Sequence, residues 1–227
     1  MFRKTLGFYI LFLITGIILA VYPAIDIWFS NLFYQGEKQF FVKHYLVGEN
    51  YYYEFIIRRF ALPLMVILLL FFPVVAKLFL SLKFKIRLFN IKTQDIFYIW
   101  LSAFFISLFI NSVLKEGWGR SRPNDIINFG GSNNFTSWIQ YSLECTSNCS
   151  FVSGDAAVGF FIVVYYYLTK NIFFFYLSII VGLLLGVVRI GAGAHFLSDI
   201  VMSFVFVNLG LIIINYVYYG FLTWIKK

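Results

Sequence analysis

The chain has 227 residues, 61% of them hydrophobic and only 12% charged, with a formal net charge of +8. Soluble domains average about 45–50% apolar and about 25% charged residues. A chain of this length cannot hide so much apolar surface in water, and its apolar residues run in long uninterrupted blocks, so the composition excludes a soluble domain and describes an integral membrane protein.

Roughly 20 apolar residues cross a bilayer's hydrocarbon core, and the blocks predict six transmembrane helices, near 7–28, 60–82, 95–114, 154–169, 172–188 and 198–224. The first block, within MFRKTLGFYILFLITGIILAVYPAIDIW, is too long for a signal peptide and lacks a small-x-small cleavage site, so it reads as an uncleaved span. The fourth and fifth are separated only by Lys170-Asn171 and form a tight helical hairpin. As one helix they would far overshoot the bilayer at about 1.5 Å per residue. With no internal repeat, a single all-α bundle over residues 1–227 is the simplest architecture.

Orientation follows from the basic residues. With the N-terminus inside, the inner segments carry Arg3, Lys4, Lys77, Lys83, Lys85, Arg87, Lys92, Lys170, Lys226 and Lys227, ten on short loops against eight on longer outer loops. The positive-inside rule prefers this arrangement, with both termini cytoplasmic. Four of the outer basic residues, Lys115, Arg120, Arg122 and Arg189, cluster beside span ends, which points to function rather than topology. The positive charge calls for no nucleic-acid partner: its inner share suits anionic membrane lipids and its outer share an anionic substrate. Tyr51 to Tyr53, Tyr165 to Tyr167, Trp28 and Trp224 read as an interfacial aromatic belt. Cys145 and Cys149 lie in the outer loop before the fourth span, where they form either a disulfide, which an oxidising exterior permits, or two free thiols. With no further Cys and no His nearby they do not make a zinc site.

Three clusters carry the candidate chemistry: KEGWGRSRPNDI at 115–126, SFVSGDAAVG at 150–159 and RIGAGAHFLSD at 189–199. The alternating topology brings all three to the same membrane face, which marks one shared site. Lys115, Arg122 and Arg189 supply cations, and arginine forks bind phosphate oxygens bidentately. Ser153 and Gly154 open a helix whose free N–H groups and positive dipole end favour an anion. His195 and Asp199 are four apart, on one helical face, so the carboxylate fixes the imidazole tautomer and supports it as a nucleophile. Without paired acidic clusters, a divalent metal site is not expected.

Lys115-x6-Arg122-Pro123, Ser153-Gly154-Asp155 and Arg189-x5-His195-x3-Asp199 together resemble the three-part signature of the type 2 phosphatidic acid phosphatase superfamily, whose usual form is K-x6-R-P, P-S-G-H and S-R-x5-H-x3-D. The resemblance implies that His195 forms a phosphohistidine and that Asp199 orients it. It also implies that Lys115, Arg122, Ser153, Gly154 and Arg189 hold the phosphate, and that neither metal nor organic cofactor is used. Val152 stands for the family's Pro, Val188 for its Ser, and Asp155 for the second histidine, which protonates the leaving alkoxide. G-W-G-R-x-R-P with N-C-S-F-V-S-G-D-A-x-x-G is similar to the lipid A 4′-phosphatase branch, where an acidic residue takes that place.

Asp155 is accordingly expected to be the general acid, the alternative being a helix N-terminal carboxylate. Trp118 and Arg120 are either substrate contacts or structural residues, and His44 is an interfacial histidine or a substitute proton donor. The expected enzyme is a metal-independent phosphomonoesterase of the bacterial inner membrane, with its site facing the periplasm and its phosphorylated lipid in the outer leaflet. Phosphatidylglycerophosphate or undecaprenyl diphosphate are alternative substrates, and a noncatalytic transporter subunit binding a phosphorylated solute is the alternative class.

Overall fold

A computed structural model describes residues 2–37, 39–42, 60–83 and 92–225. His44, Tyr51 to Tyr53, Lys85, Arg87, Lys226 and Lys227 lie outside the described residues. The fold is mostly helical: α1 (Phe2–Val21), α2 (Ala24–Asn31), α3 (Leu62–Lys83), α4 (Thr93–Leu108), α5 (Gly154–Phe161), α6 (Val164–Thr169), α7 (Ile172–Gly191) and α8 (Leu197–Ile225). One small ribbon adds to the all-α expectation, with β1 (Tyr34–Gly36) antiparallel to β2 (Gln39–Phe40). Among the described residues, three helical segments, Thr93–Asp125, Ile172–Gly191 and Leu197–Trp224, are long and apolar enough to cross a membrane, and a fourth is added if the bent α1–α2 pair counts as one. Leu62–Val75 and Gly154–Thr169 are shorter apolar helices.

The expected 7–28 span is broken. α1 and α2 meet at an angle of 100°. Pro23, at the N-cap of α2, disfavours helical geometry in the residue before it, and the turn carries Asp26 and Ser30, both fully buried, into the protein. The expected 95–114 span continues beyond α4 as a π-helical stretch, Phe109–Lys115, and one more helical turn, Glu116–Trp118. This wider winding, which in proteins clusters at functional sites, delivers Lys115.

Polar caps define the starts of α4 and α7. Asp95 accepts from the Lys92 backbone N–H at 2.8 Å, and Asn171 Oδ1 accepts from the Phe173 N–H at 3.0 Å. Between α6 and α7, Lys170 adopts a left-handed conformation (φ 59°), so the hairpin expected from Lys170-Asn171 turns there. The hairpin helix is itself interrupted, and α5 and α6 are separated by a turn at Ile162-Val163.

The core lies between α1, α5, α7 and α8. Phe12 stacks on Phe204 at 4.0 Å, Phe160 meets Phe204 edge-on at 5.3 Å, and Phe160, Phe175 and Phe204 are fully buried. α5 and α7 approach at Gly159 and Gly182, where a Cβ on Gly159 would stand 2.7 Å from the Gly182 Cα. Small residues at such a crossing let helix backbones pack where lipid supplies no hydrophobic drive. Trp28 and Trp224 are exposed, as a belt requires, but Tyr165, Tyr166 and Tyr167 are buried. Their phenols serve inside the bundle: Tyr165 donates to the Leu69 carbonyl, and Tyr167 contacts Tyr9 at 3.1 Å and Asn208 at 3.3 Å. The belt expectation fails for these three because their helix is enclosed by its neighbours.

Candidate active site

Two helix starts and two loops meet at one end of the bundle. Asp199, in the first turn of α8, is fully buried and its carboxylate is crowded with donors. Oδ1 accepts from Arg120 at 2.6 Å, while Oδ2 accepts from the Ser150 hydroxyl at 2.5 Å and the Phe196 backbone N–H at 2.8 Å. His195 Nδ1 lies 3.5 Å from Oδ2, an ion-pair distance rather than a formed hydrogen bond, so Nε2 is the ring nitrogen turned away from the carboxylate. His195 is only 2% exposed. Burial pushes its imidazole down to about 4 from 6.5, Asp199 opposes the shift, and Arg189 and Arg122 add to it. The ring is therefore a neutral base at ordinary pH, as a nitrogen nucleophile has to be.

The cations converge on the same place by different routes. Arg189, at the end of α7 and 5% exposed, has its Nε 3.2 Å from Asp155 Oδ2. Lys115, half-buried, reaches across to α5, where a Cβ on Gly154 would stand 3.3 Å from its Nζ. Arg122 is held by Asn148, whose carbonyl accepts from Nε at 2.9 Å and from Nη2 at 2.7 Å, and whose Oδ1 accepts from Nη2 at 2.8 Å. Asn148 has φ 49° and sits inside the short ring closed by the Cys145–Cys149 disulfide. Ser153 caps α5, its Oγ accepting from the Ala156 N–H at 3.4 Å, and it is fully buried. Its backbone N–H donates to the Asp199 carbonyl at 3.4 Å, which ties the start of α5 to the start of α8.

The loops are locked by close approach. The Asn124 N–H donates to the Gly193 carbonyl at 3.0 Å, joining the Arg122 segment to the His195 turn. Gly193 has φ +64°, and a Cβ there would come within 2.0 Å of Asn124 Oδ1 and 2.4 Å of Phe40, so only glycine fits. The β-ribbon takes part here, since Phe40 is fully buried with Phe129 and Phe196 beneath the turn.

All eight residues expected to form the site, Lys115, Arg122, Ser153, Gly154, Asp155, Arg189, His195 and Asp199, come together in this region. Arg120 requires a correction as a substrate contact. It is fully buried, its guanidinium joins Asp26 at 2.8 Å and Asp199 at 2.6 Å, and it lies 4.4 Å above the Phe196 ring. Trp118 is partly buried, donates to the Trp138 carbonyl at 2.7 Å and lies against Phe151, which is a structural setting. Sequence reasoning missed Asp26, Ser150 and Asn148. An acid inside an apolar span is costly without a partner, and that signal was available for Asp26 in AIDIW. Ser150 and Asn148 stand within the N-C-S-F-V-S-G-D stretch, but nothing in its spacing links Ser150 to Asp199 or Asn148 to Arg122.

These features describe a helical membrane protein with a buried imidazole backed by a carboxylate and ringed by cations, an anion-processing site. Residues 97–226 match the PAP2 superfamily, and the chain belongs to that family. It is 30% identical over 214 residues to the lipid A 4′-phosphatase of Francisella tularensis subsp. novicida (strain U112), covering 91% of each chain. It is 35% identical over 99 residues to a lipid A 4′-phosphatase of Rhizobium leguminosarum, 42% of each chain. A Rhizobium etli protein of the same name is 34% identical over 99 residues, covering 42% of this chain and 38% of the relative. No solved structure matches the chain.

Proposed function

We propose that the chain is a bacterial membrane lipid phosphatase that removes a phosphate, by preference the 4′-phosphate, from lipid A or a precursor. The observation that carries this reading is the buried His195–Asp199 pair set among Lys115, Arg122 and Arg189. The near full-length likeness to the Francisella lipid A 4′-phosphatase supports the substrate class. An apolar cavity of about 200 Å³, lined in part by Gly154, Leu69, Leu70, Ile106, Ile110 and Phe161, suits the hydrocarbon part of such a substrate.

The reaction runs in two displacements. Nε2 of His195 attacks phosphorus, the bond from phosphorus to the sugar oxygen breaks, and the leaving alkoxide takes a proton from Asp155. Asp199 stabilises the imidazolium that forms, while Lys115, Arg122, Arg189 and the backbone N–H groups opening α5 hold the phosphate oxygens. Water then attacks the phosphohistidine and gives its proton to Asp155. The P–N bond breaks, freeing inorganic phosphate and returning neutral His195. Before substrate arrives Asp155 pairs with Arg189. A phosphate monoester arriving as its monoanion takes over Arg189 and hands its own proton to Asp155, which passes it to the leaving alkoxide.

In this reading the chain makes six crossings, by α1, α3, α4 with its extension, the α5–α6 segment, α7 and α8. The site faces the periplasm of the inner membrane and both termini face the cytoplasm. Purified protein is expected to release phosphate from lipid A without added metal, with mass spectrometry of the lipid showing loss of one HPO3 unit, and His195→Ala is expected to abolish release. Normal turnover by His195→Ala would sink the phosphohistidine mechanism. Untouched lipid A alongside dephosphorylated phosphatidylglycerophosphate would move the substrate assignment.

A further inference from the structure

Beneath Asp199 lies a second carboxylate to which the proposed chemistry gives no role. Asp26, on α2, is fully buried 94 residues before Arg120 in sequence, and lies outside the residues 97–226 that match the family. Its Oδ2 accepts from Arg120 Nη2 at 2.8 Å and from the Ser198 hydroxyl at 2.5 Å. Its Oδ1 accepts from the Ser198 backbone N–H at 2.8 Å. Arg120 completes the bridge: Nη1 reaches Asp199 at 2.6 Å and Ser198 Oγ at 2.8 Å, and Nε reaches the Thr136 carbonyl at 2.9 Å.

Two carboxylates thus share one guanidinium, and all three side chains are fully buried. A lone Arg120 would spend its whole charge on Asp199 and weaken the support Asp199 gives to a positive ring on His195. Asp26 takes up part of that charge, and by gripping both the amide and the hydroxyl of Ser198 it also fixes the first turn of α8, on which Asp199 stands. We propose that Asp26 is a positioning residue for the nucleophile, acting through Arg120 and Ser198 to set how strongly Asp199 supports the His195 imidazolium. This rests on the reading of His195 as the nucleophile.

His195 is also faced by Arg189 from the end of α7 and Arg122 from the segment after α4, with Asp155 against Arg189. A change at Asp26 leaves all of these in place. It leaves the phosphate-holding residues intact too, so its effect falls on the chemical step rather than on binding.

The chain contains two histidines, so full-length protein labelled with 13C-histidine gives two imidazole titrations, and the one missing in His195→Gln is His195. For Asp26→Asn, kcat is expected to fall about tenfold with KM unchanged, and His195 is expected to titrate about half a pH unit or more below its wild-type position. Asp26→Glu, which keeps the charge, is expected to keep the wild-type titration. A folded Asp26→Asn with wild-type kcat and an unmoved His195 titration would overturn the proposal. So would a loss of activity that tracks loss of folded protein without any movement of the titration. If Asp26→Asn does not fold, Ser198→Ala takes its place, with a downward shift expected and an unmoved titration decisive against. The titration needs no turnover. If wild-type protein releases no phosphate, the phosphatase reading fails while the coupling of Asp26 to His195 is still measured.

Discussion

At the scale of single residues, the site is a contest over where charge rests. His195 stays neutral because burial penalises its cation and two arginines face it. Its proton is one that the unfolded chain binds more readily. This contribution to stability is therefore fully present above about pH 6.5 and is lost as pH falls toward the folded value of about 4. Asp155 is the residue whose role its partner leaves most open to experiment, because a carboxylate 3.2 Å from Arg189 Nε can serve the arginine or the leaving group. If it delivers the proton, Asp155→Asn lowers kcat for a sugar phosphate by about a hundredfold. It leaves an aryl phosphate, whose leaving phenolate needs no proton, nearly untouched. Equal losses on both substrates would assign Asp155 to holding Arg189 alone. The residues of the three motifs were legible because their chemistry survives in spacing, as with the i, i+4 pair of His195 and Asp199. Arg120 was not, since its burial depends on Asp26, a partner that no local pattern links to it.

At the scale of elements, α4, α7 and α8 begin within two residues of the spans that hydropathy sets. Among the described residues three helices, or four with the bent pair, are long enough to cross where six crossings were expected. Hydropathy could not foresee the turn at Pro23, the π-helical winding before Lys115 or the break at Ile162-Val163, because these are settled by what each helix packs against. The same holds for Tyr165 to Tyr167, which composition assigns to an interface and packing assigns to the core. The α5–α7 crossing is the tightest test of that packing. A Cβ on Gly182 would stand 2.2 Å from the Phe160 ring, so Gly182→Val has to push α5 away. Overpacking of this kind costs about 1–3 kcal/mol, and the variant is expected to lose thermal stability in detergent, together with activity, because α5 carries Gly154 and Asp155. Gly7→Ala, where a new Cβ meets nothing within 4 Å, is the control expected to change neither. Equal melting of the two variants would contradict the packing account.

At the scale of the molecule, the proposed orientation puts both termini on one face and the site on the other. Reporters fused to either terminus are expected to behave as cytoplasmic, and one inserted near Tyr141, exposed in the long loop before α5, as periplasmic. Termini on opposite faces would refute the six-crossing arrangement. The buried network also has a consequence for the order in which the chain is made. Asp26 leaves the ribosome early, yet the arginine it needs follows 94 residues later and the amide it grips 172 residues later. Until α8 arrives, Asp26 can meet Arg120 but has neither the amide nor the hydroxyl of Ser198 to complete its bonding. The full set of bonds to Asp26 therefore forms only once the chain has been made as far as Ser198. A protein cut short before Leu197 keeps His195 but lacks Asp199, and it leaves Asp26 without its two bonds to Ser198.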